Sequence, residues 1–160
     1  MIIHPIEPEY DEHSRILILG SFPSVKSRET GYFYGHPQNR FWKVLSAVYQ
    51  DVLPVTVKEK QSFLKRNRIA VWDVIHSCNI EGSSDSSITD VTVNNLSLIT
   101  ETAAIDAIYI NGKKAYALYN KYIKPGFNFD NVICLPSTSP ANAAWSLERL
   151  IEAWQICAHL

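Results

Sequence analysis

The sequence predicts an α/β fold, a mostly parallel sheet with helices on both faces, and three observations carry that expectation. Four short apolar runs rich in β-branched or aromatic residues end at polar or turn residues: Ile16 to Leu19, Ile69 to Trp72, Ala107 to Ile110 and Val132 to Leu135. Between them lie segments whose apolar residues recur at helical spacing. Alternation of this kind favours right-handed crossovers between parallel strands.

In chain order, the first strand, Ile16 to Leu19, runs into the turn Gly20 to Ser24. A loop at the carboxyl end of such a strand is where open α/β sheets bind ligands. Phe41, Val44, Leu45 and Val48 then mark the apolar side of a helix entered through Arg40-Phe41-Trp42-Lys43. The second strand leads into "WDVIHSC", and the polar stretch Asn79 to Asn95, with Gly82 and its serines and aspartates, reads as a long loop. Asn111-Gly112 follows the third strand and opens a helix that carries Lys113 and Lys114 and buries Ala115, Leu118 and Tyr122. After the fourth strand, "LPSTSPANA" (Leu135 to Ala143) precedes a last helix. Ser146 and Glu148 lie near its start, and Leu147, Leu150, Ile151 and Trp154 form its apolar face.

The 160 residues fit one domain, 1–160, and 46% hydrophobic content suffices to cover a sheet on both faces. No apolar run approaches a membrane span and the amino terminus lacks the layout of a signal peptide, so a cytoplasmic protein is expected. Cys78, Cys134 and Cys157 are widely spaced, odd in number and without a C-x-x-C pair, which argues against a disulfide framework or a metal site. With 15 basic and 16 acidic side chains the net charge is −1, so composition does not announce a nucleic-acid binder, although a local basic cluster would suffice for one.

The strand ends converge on one rim. There Pro136 and Pro140 bracket Ser137, Thr138 and Ser139, a stiff hydroxyl-rich loop that can hold a phosphate oxygen or be an ordinary Pro/Ser connection. Tyr32-Phe33-Tyr34 sit between Gly31 and Gly35; one face of a regular element cannot bury all three, so at least one ring is expected to face outward. Such a ring stacks on a planar ligand such as an extruded nucleobase, the alternative being that the rings plug the sheet end. Asn39 stands where a helix N-cap is expected, or its amide holds water or a base; Asp73 either caps a helix or faces the pocket. His4, His13 and His159 read as surface residues, His36 and His76 as rim residues. There is no Ser-His-Asp spacing and no Gly-rich phosphate fingerprint, and "GSFPS" is not the G-x-S-x-G elbow.

Taken together, "GSFPS", "GYFYGHPQNRFWKVL", "AVWDVIHSC" and "LPSTSPANA" resemble the uracil-DNA glycosylase superfamily, specifically its hypoxanthine-DNA glycosylase branch. The segment "GHPQNRFWKV" is also similar to the mismatch-specific uracil/thymine glycosylases, and the likeness runs from about Arg15 to about Trp154. The resemblance implies a three-layer α/β/α sandwich around a short, mostly parallel four-stranded sheet. It implies a monofunctional DNA N-glycosylase that flips out a deaminated base, chiefly hypoxanthine from deoxyinosine, and leaves an abasic site. No metal or organic cofactor is implied; the partner is DNA containing deaminated bases, and the chain is expected to act as a monomer. The alternatives are a uracil- or mismatch-specific glycosylase, or a nucleic-acid-binding module that has kept the fold and lost catalysis.

Matched position by position, the resemblance implies Asn39 as the catalytic residue and Gly20, Ser21, Phe22, Tyr34 and Asp73 as base-binding residues. Ser24, Lys26, Ser137, Thr138 and Ser139 are implied to grip the DNA backbone, with Lys26, Arg28 and Arg40 either meeting phosphates or standing as solvated charge. Two positions depart from the superfamily's usual pattern. Phe22 replaces the Asp or Asn that orients the attacking water, and Leu135 replaces a His or Asn that bonds a base carbonyl; the hypoxanthine branch is similar in lacking both. Where some relatives place an apolar wedge, near Ser139, only small residues are present.

Overall fold

The computed structural model describes residues 1–158; the expectation for His159 lies outside the described residues. Among the described residues seven strands are formed: β1 (Ile2–Ile3), β2 (Ile16–Gly20), β3 (Ile69–Asp73), β4 (Ile75–Asn79), β5 (Thr89–Val93), β6 (Ala107–Asn111) and β7 (Val132–Leu135). The α-helices are α1 (Val25–Thr30), α2 (Phe41–Val48), α3 (Val57–Arg66), α4 (Ser97–Thr100), α5 (Lys113–Leu118) and α6 (Leu147–Trp154). Strands β3, β2, β6 and β7 lie in that order as a parallel sheet. Every residue of β2, β3 and β6 is buried, as parallel strands covered on both faces require.

Helix α2 buries Phe41, Trp42, Val44, Leu45 and Val48 at the expected spacing. Phe41 meets Trp154 of α6 edge to face at 6.2 Å, and Trp42 meets Phe63 of α3 likewise at 6.3 Å, so one aromatic layer joins the three helices. The Ser146 hydroxyl caps α6 by accepting from the Arg149 N–H. Helix α3 was not expected, yet Thr56 and Glu59 close a full capping box around its first turn.

Two expectations about local structure are corrected. The stretch 79–95 is not one long loop: a 3-10 turn at Asp85–Ser87 leads into β5, which pairs with β4, and β4 pairs with β1, to make a second, antiparallel sheet. Polar residues, a positive φ at Asp90 and two register shifts hide β5 from a period-two pattern. Tyr122 is 39% exposed, whereas Tyr119 is buried. A π-helical turn over Tyr119–Ile123 follows α5 directly, and its longer repeat rotates Tyr122 off the apolar face.

The chain passes from the parallel to the antiparallel sheet through Val74 alone. The Val74 and Ile75 N–H groups donate to the carbonyls of Gly20 and Ser21 at 2.8 and 3.1 Å. The buried Asn94 amide donates to the carbonyls of Asp73 and Ile75 at 2.9 and 3.1 Å. Asp73 therefore sits on a bend held from both sides.

Candidate active site

A cavity of about 320 Å³ opens at the carboxyl ends of the parallel strands, within the usual size of small-ligand sites. Gly20 and Asp73 are register partners at the ends of β2 and β3 and form its floor. A Cβ at Gly20 would lie 2.6 Å from Asp73 Oδ1 and 2.8 Å from the Tyr34 hydroxyl. Only a hydrogen there lets these two polar atoms converge.

Tyr34 reaches this point from a left-handed backbone, φ 54°, and its ring lies 3.8 Å from that of Phe41 at an interplanar angle of 14°. One face of the ring is thus covered from within. Its hydroxyl is buried without a hydrogen-bond partner among the described residues. Burial, reinforced by the nearby Asp73 charge and opposed by the neighbouring Asn111 amide, holds the phenol far above its ordinary range, so the group keeps its proton. The expectation of an outward-facing aromatic is met only in this restricted sense, because Tyr32 and Phe33 are core residues.

Asn39 is held by a directional chain of hydrogen bonds. The buried Asn111 takes the Thr138 backbone N–H on Oδ1 at 3.0 Å, so its Nδ2 is what donates to Thr138 Oγ1, also at 3.0 Å. The Thr138 hydroxyl must then donate onward, to Asn39 Oδ1 at 2.9 Å. Oδ1 of Asn39 also accepts the Phe41 N–H at 2.9 Å, although the N-cap of α2 is Arg40 and not Asn39 as expected. Both acceptor positions of the amide oxygen are taken, and the NH₂ group is the part left for the cavity. The N-cap falls one residue later because regular helix begins only at Phe41, and the Asn39 oxygen instead closes a local turn onto the first helical N–H.

Thr138 itself is fully buried, so its side chain offers no surface to a DNA backbone; it positions Asn39 instead. Ser137 and Ser139 do lie at the cavity, each accepting the N–H two residues ahead, at 3.1 and 3.2 Å. Gly112, at φ 99°, allows the close approach of Ser137, whose Cβ would lie 3.0 Å from a side chain there. Arg40 is committed inward: its guanidinium donates to the carbonyls of Ser139, Asn142 and Trp145 and staples the serine loop. Ser24 caps α1 through the Ser27 N–H. Arg28 donates to the Gly82 carbonyl and stands 5.7 Å from the centre of the Phe22 ring. Lys26 is exposed, 3.9 Å from Glu29, and does not line the cavity. Among the described residues no acceptor takes the Ser21 or Phe22 backbone N–H, and both residues line the cavity.

Histidine placement departs from expectation. His4 is not a surface residue: its ring is buried, Nε2 lies 2.7 Å from Asp73 Oδ2, and it packs between Phe22 and Phe33. His36 lines the cavity, whereas His76 is exposed on β4 and does not. The sequence also missed Asn111 and Asp85. Asp85 keeps much of its residue surface exposed, yet its carboxyl faces the cavity, where loss of water pushes its pKa up; Lys114 opposes the shift and Asp73 adds to it. Among the described residues no cluster of His, Cys, Asp and Glu is arranged to hold a metal ion, and no helix is long and apolar enough to cross a membrane.

A sequence model of the Uracil DNA glycosylase superfamily matches residues 7–158, nearly the whole chain and every residue of this cavity. The chain belongs to that superfamily. Two relatives named hypoxanthine DNA glycosylase are similar to it. One, from Methanosarcina acetivorans, is 37% identical over 91% of this chain and 90% of the relative. The other, from Methanosarcina barkeri, is 36% identical over 68% and 70%. The solution NMR structure of a Methanosarcina acetivorans protein assigned to the uracil DNA glycosylases superposes with a TM-score of 0.81 at 34% identity. It covers 99% of this chain and 98% of that one. Within the superfamily, this member places a phenyl ring at position 22, so the loop after β2 contributes backbone N–H groups rather than a side chain able to orient water.

Proposed function

We propose that the protein excises hypoxanthine from deoxyinosine in DNA, hydrolysing the N-glycosidic bond and leaving an abasic site. The observation that carries this reading is the set of polar groups at the cavity: the Asp73 Oδ1 acceptor and the Asn39 NH₂ donor, with the buried Tyr34 hydroxyl against the same floor. Hypoxanthine presents a lactam edge, with N1–H as donor and O6 as acceptor. Oδ1 suits the N1–H, and a donor from Tyr34 or Asn39 suits O6. The names of the Methanosarcina relatives support the same substrate.

Hydrolysis breaks the C1′–N9 bond, whose electron pair leaves with the base, and forms a bond from C1′ to a water oxygen; the proton that the water loses ends on the departing base. Positive charge builds on the sugar and negative charge on the base, and catalysis must stabilise both. On the base side, N–H and O–H donors directed at O6 stabilise the growing charge. On the sugar side, Asp85 at the cavity wall carries the sign that stabilises a cation. Neither Asn39 nor Phe22 is a base. The reading therefore assigns the rate to placement and hydrogen bonding, which can lower a barrier by roughly 7–11 kcal/mol.

Ser24, Ser137, Ser139 and the exposed Lys26 are the groups proposed to meet the DNA backbone, and the chain is proposed to act as a single, monomeric domain. Uracil shares the lactam edge, so uracil excision is the rival reading. Single-turnover base release from duplexes carrying hypoxanthine, uracil, xanthine or a mismatched thymine separates the two. Fastest release of hypoxanthine supports the proposal, faster release of uracil overturns the substrate, and salt-sensitive binding without release from any duplex leaves a binding module.

A further inference from the structure

We infer that His4 is a positioning residue that fixes the hydrogen-bonding polarity of Asp73, and so makes the cavity select a lactam base over adenine. The inference rests on the hypoxanthine reading and adds a residue to it.

The tautomer of His4 follows from its neighbours. Nδ1 accepts the backbone N–H of Ile6 at 3.2 Å and so carries no proton. Nε2 therefore carries it and donates to Asp73 Oδ2 at 2.7 Å, the short length of a bond to a charged acceptor. The ring has no freedom to exchange these roles. Phe22 stands edge-on to it at 5.7 Å and Phe33 lies 6.1 Å away. The backbone N–H of His4 is held by the His76 carbonyl at 2.7 Å. The two partner side chains are 2% and 5% exposed, so water does not compete for the contact.

With Oδ2 engaged, Oδ1 is the oxygen that faces the cavity above Gly20. Because Oδ2 is already taken by the His4 N–H, Oδ1 is the carboxylate oxygen left to accept from a ligand. A base with N1–H is then satisfied. Adenine turns the lone pair of N1 toward the same place and meets an acceptor with an acceptor, leaving buried polar groups unpaired. A residue near the amino terminus, 69 positions from Asp73, thereby reads the chemistry of the base without touching it.

The test measures binding of the full chain to duplexes carrying 2′-fluoro-2′-deoxyinosine or 2′-fluoro-2′-deoxyadenosine, whose fluorine slows glycosidic cleavage. Three variants are compared with the wild type. His4→Phe fills the aromatic niche without a donor and is expected to lower the inosine-over-adenine preference by about tenfold or more. His4→Gln, which returns an N–H near the Nε2 position, restores the preference. In Asp73→Asn, His4 forces the amide oxygen toward itself and turns the NH₂ to the cavity, so the preference reverses in favour of adenine. An undiminished preference in a folded His4→Phe protein, or a retained inosine preference in Asp73→Asn, overturns the role of His4 alone. A wild type that binds both duplexes equally overturns this role together with the hypoxanthine reading.

Discussion

The Thr138 hydroxyl donates to Oδ1 of Asn39 across 2.9 Å, and 99 residues of chain separate the two. Thr138 in turn is oriented by Asn111 at the end of β6, so the amide that faces the cavity is set by a strand of the central sheet rather than by its own loop.

Thr138→Val keeps the shape and removes the hydroxyl. The Asn39 and Asn111 amides each lose a partner in a buried setting, which should cost about 1–3 kcal/mol of stability. Base release should fall by about a hundredfold as the Asn39 amide loses its fixed orientation. Thr138→Ser should recover most of the rate. Urea unfolding and single-turnover release check both expectations, and a full-rate valine variant would detach Thr138 from the site.

Asn39→Ala should abolish hypoxanthine release with the fold intact. Asn39→Asp keeps the acceptor for the Phe41 N–H but has no NH₂, so it separates that local bond from donation. Its rate should drop by about 10²- to 10³-fold, the usual loss for one donor aimed at developing negative charge. Comparable rates in Asn39→Asp and wild type would show that the NH₂ group does no chemistry.

Gly20→Ala places a methyl group against Asp73 Oδ1 and the Tyr34 hydroxyl at distances that neither can keep. Both must retreat, at a stability cost of about 1–3 kcal/mol. Inosine-duplex affinity should fall while affinity for undamaged DNA stays constant. Unchanged inosine affinity would mean that the cavity floor does not contact the base.

Alkaline stability follows from the buried phenols. Burial raises Tyr34, Tyr32 and Tyr49 above the ordinary 10.0, with Asp73 adding for Tyr34 and Glu9 for Tyr32. In the unfolded chain these groups ionise at ordinary values, so above that pH the folded state binds more protons and ∂ΔG/∂pH is negative. Their contribution is complete below about pH 10 and is lost as pH rises through the folded values. Urea midpoints should fall from about pH 10 upward, and Tyr34→Phe should flatten part of that slope. A flat profile for wild type would contradict the burial of these hydroxyls.

Much of this arrangement is legible in the sequence where one residue type answers to one local rule. Ile16–Leu19, Ile69–Trp72, Ala107–Ile110 and Val132–Leu135 read as strands because parallel strands must be apolar on both faces, and all four formed the central sheet. Helix α3 is also legible, since Thr56-x-x-Glu59 is a capping-box pattern. Strand β5 was not: its stability comes from pairing with β4 through shifted registers, which no periodicity encodes. Nor was the placement of Tyr122, because a π turn breaks the phase that helical spacing assumes.

By itself, then, the sequence determined the α/β class and the rim that carries the cavity, because burial and turn chemistry act on neighbours along the chain, and its resemblance to the superfamily pointed to Gly20, Tyr34, Asn39 and Asp73 around it. Which atom each residue presents was decided only by the tertiary structure. Asn39 shows its NH₂ because Thr138 and Phe41 occupy its oxygen, and Asp73 shows Oδ1 because His4 occupies Oδ2. Hydrogen-bond polarity depends on which partner arrives through space, and Thr138 and His4 come from the serine loop and from the residue after β1, 99 and 69 positions away, distances at which local rules are silent.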